Sequence, residues 1–341
     1  MPVMPDPVFL VPGQGGDPHG ALGELCRGSR LARQLVGEVL REIEDVVRSV
    51  PGAPSRPAEI RDVLLDSTET ATETATESAT ETASKTASGA ASKTPAMSAG
   101  VPQLAGFAIS VILDRLLDER GTRPTAIVGH SFGEIAALVC AGALDVADGA
   151  RAVCALNAAY HGEEGRGGMV LLPGVGEAEC LRVLREHGIR GLVVACVNAP
   201  DEVIVSGRID AVEELLNKAP VRTIRLPVPY AAHHPEMEPV AKRFLAGLRD
   251  VCQRPLRTVV HSPVRRRAYT DHDDLRRGLA DCVTKPVRLP ETLNTLGSGH
   301  PFVEIGMGNA LVRCVQRTLP GARTIAPLKD DAAFFFGAST A

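Results

Sequence analysis

The pentapeptide Gly129-His130-Ser131-Phe132-Gly133 joins one apolar run, "PTAIV", to another, "EIAALVCAGAL", and that junction leaves the chain few architectures to choose from. A G-x-S-x-G turn between a strand and a helix holds its central residue in a strained backbone conformation, and the flanking glycines leave the room this requires. A buried strand, a tight turn and an apolar helix in succession predict a parallel sheet covered by helices. The serine hydroxyl would then stand clear of the sheet at a helix N-terminus, where free N–H groups and the helix dipole favour an oxyanion.

Strands and helices alternate on both sides of this turn. "PVFLVP" reads as a short buried strand running into the glycine-rich loop "GQGGDPHG", and "ALGELCRGSRLARQLVGEVLREIEDVVRSV" has the spacing of one or two amphipathic helices. "VPQLAGFAISVILDRLLDERG" predicts a strongly apolar helix, and "DVADGARAVCALNAAYHGEEG" another, with Asp145 as its N-cap. From 167 to 229 the rhythm becomes strand-helix-strand-strand-helix-strand, the order of a split βαβ, ferredoxin-like unit. A helix through "EPVAKRFLAGLRDV", a strand near "RTVVHS", helices at "DLRRGLADCV" and "LPETLNTLG", the strand "FVEIG" and the helix "NALVRCVQRTL" follow. The expected fold is α/β: a hydrolase-like core with a parallel sheet over 1–160 and 232–341, and an inserted ferredoxin-like small subdomain over 161–231. Residues 67–99 repeat T-E-T-A and lack side chains that could anchor a core, so a low-complexity, disordered insert is expected there.

Composition excludes several function classes. With 341 residues, 44% of them hydrophobic, the chain has ample material for a core. Its 37 basic and 41 acidic residues give a formal charge of -4, and 3% aromatics without tryptophan offer no stacking platform, so nucleic acid is not an expected partner. Eight scattered cysteines without a C-x-x-C pair fit a reducing cytoplasm. The opening "MPVMPDPVFLVPGQGG" has too short an apolar run and no basic lead for a signal peptide, and no run is long enough to span a membrane. "GQGG" lacks the Lys-Ser/Thr of a phosphate loop and no metal-ligand spacing occurs. A soluble cytoplasmic monomer without bound cofactor or metal is expected.

A serine hydroxyl is a weak nucleophile until a base takes its proton, so a histidine must converge on Ser131. His130 adjoins it but points apart on a sharp turn, which suits it to support the elbow or to contact an acyl carboxyl or thioester carbonyl. His19, His161, His187, His272 and His300 lie in polar loop or helix-end contexts and read as solvated, and His261 follows a strand and reads as structural. His233 and His234, in "PYAAHHPEMEPV", sit at the exit of the inserted unit between prolines, where a base can face a cleft.

"FLVPGQGG", "GHSFGEIAAL", "GGMVLL", "VNAPDEVIVSG", "YAAHHPEMEPV" and "FVEIGMGNAL", in this order, closely resemble the acyltransferases typified by malonyl-CoA:acyl-carrier-protein transacylase and the acyltransferase domains of polyketide synthases. The resemblance runs from Val8 to about Leu328, interrupted by the Thr/Glu-rich insert. It implies Ser131 as nucleophile and His233 as its base, oriented by the backbone carbonyl of Lys285 before Pro286-Val287. His234 stands where the family often has serine. The resemblance further implies an oxyanion hole from the N–H groups of Gln14 and Phe132, and His130, Asn198, Gln103 and Tyr230 near the acyl pocket. The implied chemistry is ping-pong transfer between phosphopantetheine thioesters, with acyl-CoA or acyl-ACP as donor and an acyl carrier protein as partner.

Two positions depart from the family pattern. Malonyl-handling members carry an arginine on the helix after the serine, whose guanidinium pairs with the substrate carboxylate; here that position is Leu156. Burying a carboxylate against leucine would leave a desolvated charge unpaired, costing at least several kcal/mol. Arg151 lies more than a turn away on the helix and Arg166 in a glycine loop, so neither is expected to substitute. The expectation is a transferase for non-carboxylated acyl groups in polyketide biosynthesis, with an editing acyl-ACP hydrolase or a malonyl-CoA:ACP transacylase as the alternatives. Met307, where proline is usual, reads as structural. Arg265, Arg266, Arg267, Arg276 and Arg277 are candidate docking residues for an acidic carrier, set against the plainer reading of a solvated charged face.

Overall fold

The structure, a computed structural model, describes residues 7–13, 16–50, 56–65 and 97–330. The insert expected over 67–99 lies, but for residues 97–99, outside the described residues, as does Gln14. In chain order the strands are β1 (Val8–Val11), β2 (Ala126–Gly129), β3 (Gly167–Pro173), β4 (Leu192–Ala199), β5 (Glu202–Arg208), β6 (Ile224–Arg225), β7 (Val259–Ser262), β8 (Arg267–Ala268), β9 (Val287–Arg288), β10 (Phe302–Glu304) and β11 (Thr324–Ile325). The helices are α1 (Gly23–Gly28), α2 (Arg30–Ser49), α3 (Glu59–Leu65), α4 (Val101–Asp118), α5 (Gly133–Cys140), α6 (Val146–Tyr160), α7 (Glu177–Glu186), α8 (Ile209–Lys218), α9 (Glu238–Gly247), α10 (Leu275–Thr284), α11 (Leu289–Leu296), α12 (Ala310–Thr318) and α13 (Pro327–Asp330).

The larger sheet has the order β11-β10-β1-β2-β7-β8, parallel throughout except for the antiparallel edge pair β7-β8. Successive side chains of β1 point to opposite faces. Phe9 and Val11 join the core with α2 and α4, while Val8 and Leu10 pack on the opposite side with α11 and α12. Burial on both faces is why β1 and β2 read as unbroken apolar runs. The amphipathic stretch after Ala21 divides at Ser29, whose hydroxyl accepts from the Ala32 N–H at 3.2 Å and caps α2. Asp145 caps α6 through the Asp148 N–H at 2.7 Å, as its position before an apolar run predicts.

The second sheet has the order β6-β3-β5-β4-β9. Its first four strands are antiparallel neighbours joined through α7 and α8, the strand order of a split βαβ unit. β6 is only two residues long, where the sequence "VRTIRLPVP" suggested a full strand. Pro227 and Pro229 have no N–H to donate to a ladder and end the pairing early. The fifth strand, β9, pairs parallel with β4 through Cys196 and Val287 and comes from a later part of the chain. Lys285, immediately before it, is thereby carried to the edge of this sheet.

Candidate active site

Ser131 sits between β2 and α5 with φ 56°, a left-handed conformation that costs a non-glycine residue about 1–3 kcal/mol. The glycines around it are sterically required. A Cβ on Gly129 would lie 2.6 Å from Glu134 Cα, one on Gly133 2.3 Å from the Val11 carbonyl oxygen, and one on Gly13 2.7 Å from the His130 carbonyl oxygen. The loop after β1 therefore presses directly on the turn. The Gly133 and Glu134 amides bond the His130 and Ser131 carbonyls at 3.0 and 3.1 Å, while the Phe132 amide at the mouth of α5 takes no part in these turn bonds.

His233 stands 102 residues farther along the chain, after β6, and meets this hydroxyl. Its Nε2 lies 2.7 Å from Ser131 Oγ, and its Nδ1–H donates to the Lys285 carbonyl at 2.8 Å. A carbonyl can only accept, so the proton is fixed on Nδ1 and Nε2 presents its lone pair to the serine O–H. His233 also has a positive φ of 59°, so both partners hold strained backbones, which only a surrounding structure that over-determines them maintains. It is 2% exposed, and burial lowers its pKa to about 4 against the raising pull of the Lys285 hydrogen bond, with nearby His130 lowering it further. The imidazole is neutral at pH 7. His234 faces away from this contact; its Nδ1 accepts from the Glu236 N–H at 3.1 Å and caps the 3-10 turn Pro235–Met237.

The remaining site candidates separate into two groups. Gln103, Phe132 and Leu156 line one small cavity of about 20 Å³ together with Phe107, Val153 and Ile135. Leu156 is 2% exposed, and the Gln103 Oε1 is buried there without a partner. His130 and Asn198 instead bond each other: Nε2–H of His130 donates to Asn198 Oδ1 at 3.0 Å, Asn198 donates to Glu202 at 3.3 Å, and Arg317 grips Glu202 and Asp201 at 2.6 and 2.9 Å. That chain ties the elbow to β4 and β5. Tyr230 stacks on Tyr160 with centroids 3.9 Å apart, and Tyr160 meets Phe132 edge-on at 5.9 Å. Sequence reasoning did not single out Tyr160, although it lies one helical turn after Leu156 and so shares its face.

Neither arginine considered as a stand-in for the missing cation reaches this cavity. Arg151 pairs with Asp148 at 3.0 Å, and Arg166 is exposed beside Glu163 at 4.0 Å. Met307 lies over the loop after β1, in contact range of Gly16 and Gly106. The five candidate docking arginines are each matched by an acid: Arg265 and Arg267 by Asp273, Arg266 by Glu291, and Arg276 and Arg277 by Asp274. Among the described residues no group of His, Cys, Asp or Glu is arranged to hold a metal ion, and no helix is long and apolar enough to cross a membrane. All eight cysteines are free thiols.

A family model described as "Acyl transferase domain" matches residues 8–334. The chain belongs to this acyltransferase family. The acyltransferase is 32% identical over 327 residues, 89% of its length, to the spectinabilin polyketide synthase system protein NorA' of Streptomyces orinoci. It is 38% identical over 267 residues, 75% of its length, to polyketide synthase GfsB of Streptomyces halstedii. These matches cover 8% and 4% of the two relatives, so the acyltransferase spans less than a tenth of their length. Among solved structures, a loading acyltransferase from the avermectin modular polyketide synthase superposes with a TM-score of 0.75 at 28% identity, covering 93% of this chain and 92% of that one. The mixed α/β fold with its parallel sheet is that of the family.

Proposed function

We propose that the acyltransferase moves a non-carboxylated acyl group from acyl-CoA or an acyl carrier protein to an acyl carrier protein in polyketide biosynthesis, by way of an acyl-Ser131 intermediate. The alignment of Ser131 Oγ, His233 Nε2 and the Lys285 carbonyl carries this reading. His233 takes the hydroxyl proton as Oγ attacks the thioester carbonyl, and the Phe132 amide and the helix dipole of α5 stabilise the oxyanion. Collapse expels the donor thiolate, which receives the proton from His233. The acceptor's phosphopantetheine thiol then gives its proton to His233, attacks the acyl-serine ester and releases Ser131 protonated again. Gln14 is proposed as a second oxyanion donor from the family pattern alone. The five paired arginines after β7 keep a net positive balance over their three acids and are proposed as the carrier dock. Reversing the charge of Arg266, Arg267, Arg276 and Arg277, which lie away from the Ser131–His233 pair, should slow transfer to a carrier while leaving acylation from acyl-CoA unchanged.

The uncharged acyl preference is supported by Leu156, buried beside Phe132 with no cation among the described residues that line this cavity. An unpaired buried carboxylate costs several kcal/mol, equivalent to roughly a hundredfold or more in acylation rate. Intact-mass spectrometry after mixing the protein with acetyl, propionyl, butyryl, malonyl and methylmalonyl thioesters tests this. The expected result is a single acyl adduct from the neutral thioesters and little from the carboxylated ones, with Leu156→Arg shifting the balance toward malonyl. A malonyl adduct on the wild type as abundant as the propionyl one overturns the preference.

The pH dependence of acylation follows from the environment of His233. A lowered pKa keeps the imidazole neutral, and able to accept a proton, at all pH values above about 4. The single-turnover acylation rate should therefore stay level from pH 8 to about 5 and fall only as pH drops through about 4. A half-maximal point near 6.5, the ordinary value for histidine, would show that the base is solvated during turnover.

A further inference from the structure

Glu134, three residues after the nucleophile on the first turn of α5, is fully buried and accepts hydrogen bonds from two other parts of the chain. Ser262 at the end of β7 donates to its Oε1 at 2.6 Å, and Tyr269, just past β8, donates to its Oε2 at 2.6 Å. The Cys282 thiol of α10, kept protonated by burial, donates to the Gly278 carbonyl at 3.7 Å. Arg265 lies over the Tyr269 ring, 5.2 Å from its centroid; burial raises the pKa of the Glu134 carboxyl, and the Arg265 charge pulls it down. Tyr269 reaches α10 as well: a Cβ on Gly278 would come within 2.4 Å of its hydroxyl oxygen, so the helix backbone seats on that group. Helix α10 ends at Lys285, whose carbonyl receives the Nδ1–H of His233. The nucleophile's helix and the carbonyl that aims the base are thus braced against one buried carboxylate.

We propose that Glu134, acting through Ser262 and Tyr269, is a positioning residue that fixes the distance between Ser131 and the Lys285-bound His233. The inference rests on the Ser131–His233 reading above. With the brace loosened, α10 and its terminal carbonyl shift, His233 loses its fixed tautomer and aim, and proton transfer slows while thioester binding is untouched. Misplacement on the order of 1 Å costs up to roughly a hundredfold in rate.

The test is single-turnover acylation by propionyl thioester, read by intact mass across substrate concentration and pH, for wild type, Tyr269→Phe, Ser262→Ala and their double variant. The expected result for the double variant is a maximal rate roughly 10–100-fold lower, half-saturation changed by no more than about twofold, and the acid limb displaced upward as water reaches the freed imidazole. A rate that is unchanged, or that falls only in proportion to the folded fraction with the acid limb unmoved, overturns the brace. Absence of any wild-type adduct on Ser131 overturns the underlying acyl-serine reading instead, so the two failures are distinct.

Discussion

Replacing Ser131 by alanine is expected to abolish the acyl adduct entirely, and replacing His233 by alanine to slow its formation by roughly 10²–10⁴-fold, the range that general-base catalysis contributes. The two losses differ in kind. Without Oγ no atom on the elbow can form the ester, so acylation of the Ser131→Ala protein should be at background for every thioester and at every pH. Without His233 the hydroxyl remains, but only solvent can take its proton, so a residual rate should rise with pH as hydroxide becomes available. The double variant should be no worse than Ser131→Ala, because groups that act as a unit do not contribute additively. Intact-mass time courses between pH 5 and 9 measure all three. A His233→Ala protein that acylates within about tenfold of wild type would assign the proton transfer to another group, despite the 2.7 Å contact.

The elbow was legible from sequence because it is a local device. An apolar strand, a glycine-flanked serine and an apolar helix occupy fewer than twenty consecutive residues, and their geometry follows from backbone sterics alone. The alternation around it identified the parallel sheet for the same reason. Long-range pairing was less visible. The two residues of β9 join β4 across nearly ninety intervening positions, and no periodicity in "KPVRLP" marks a strand. The base was narrowed by residue reasoning to His233 and His234, and the resemblance to known acyltransferases chose between them; the structure supplies the physical difference, since one ring faces Ser131 and the other caps a turn. Glu134 passed unnoticed because an acid in a first helical turn ordinarily reads as a solvated partner of the helix dipole. Its signal was its setting: the only charge in "GEIAALVC", a helix otherwise apolar and buried along nearly its whole length. The arginine run after β7 shows the opposite failure, since its partners Asp273 and Asp274 stand between the two groups of arginines and Glu291 farther along the chain, and only the positive charges had been counted.

Gly133→Ala should be a severely damaging single-methyl change. The added carbon would sit 2.3 Å from the Val11 carbonyl oxygen and 2.7 Å from the carbonyl carbon and oxygen of Pro12, all backbone atoms of β1 and its exit. Flexible side chains could swing aside, but β1 is held by β2 on one side and β10 on the other, and neither the strand nor the mouth of α5 can retreat without breaking sheet pairing. Overpacking of this kind costs about 1–3 kcal/mol in a side-chain core and more where backbone must move, so we expect a loss of at least about 3 kcal/mol and a thermal midpoint lower by several degrees. Gly299→Ala is the matched control, because its added carbon meets no heavy atom within 4 Å and its φ is not in the left-handed region, so its stability should stay within about 0.5 kcal/mol of wild type. Any folded Gly133→Ala protein should also acylate poorly, since pushing α5 away from β1 carries the Phe132 amide and the helix dipole away from the oxyanion. Equal melting temperatures for the two alanine variants would mean that α5 does not rest on β1 as closely as these distances require, and the strained setting of Ser131 would lose the contact that enforces it.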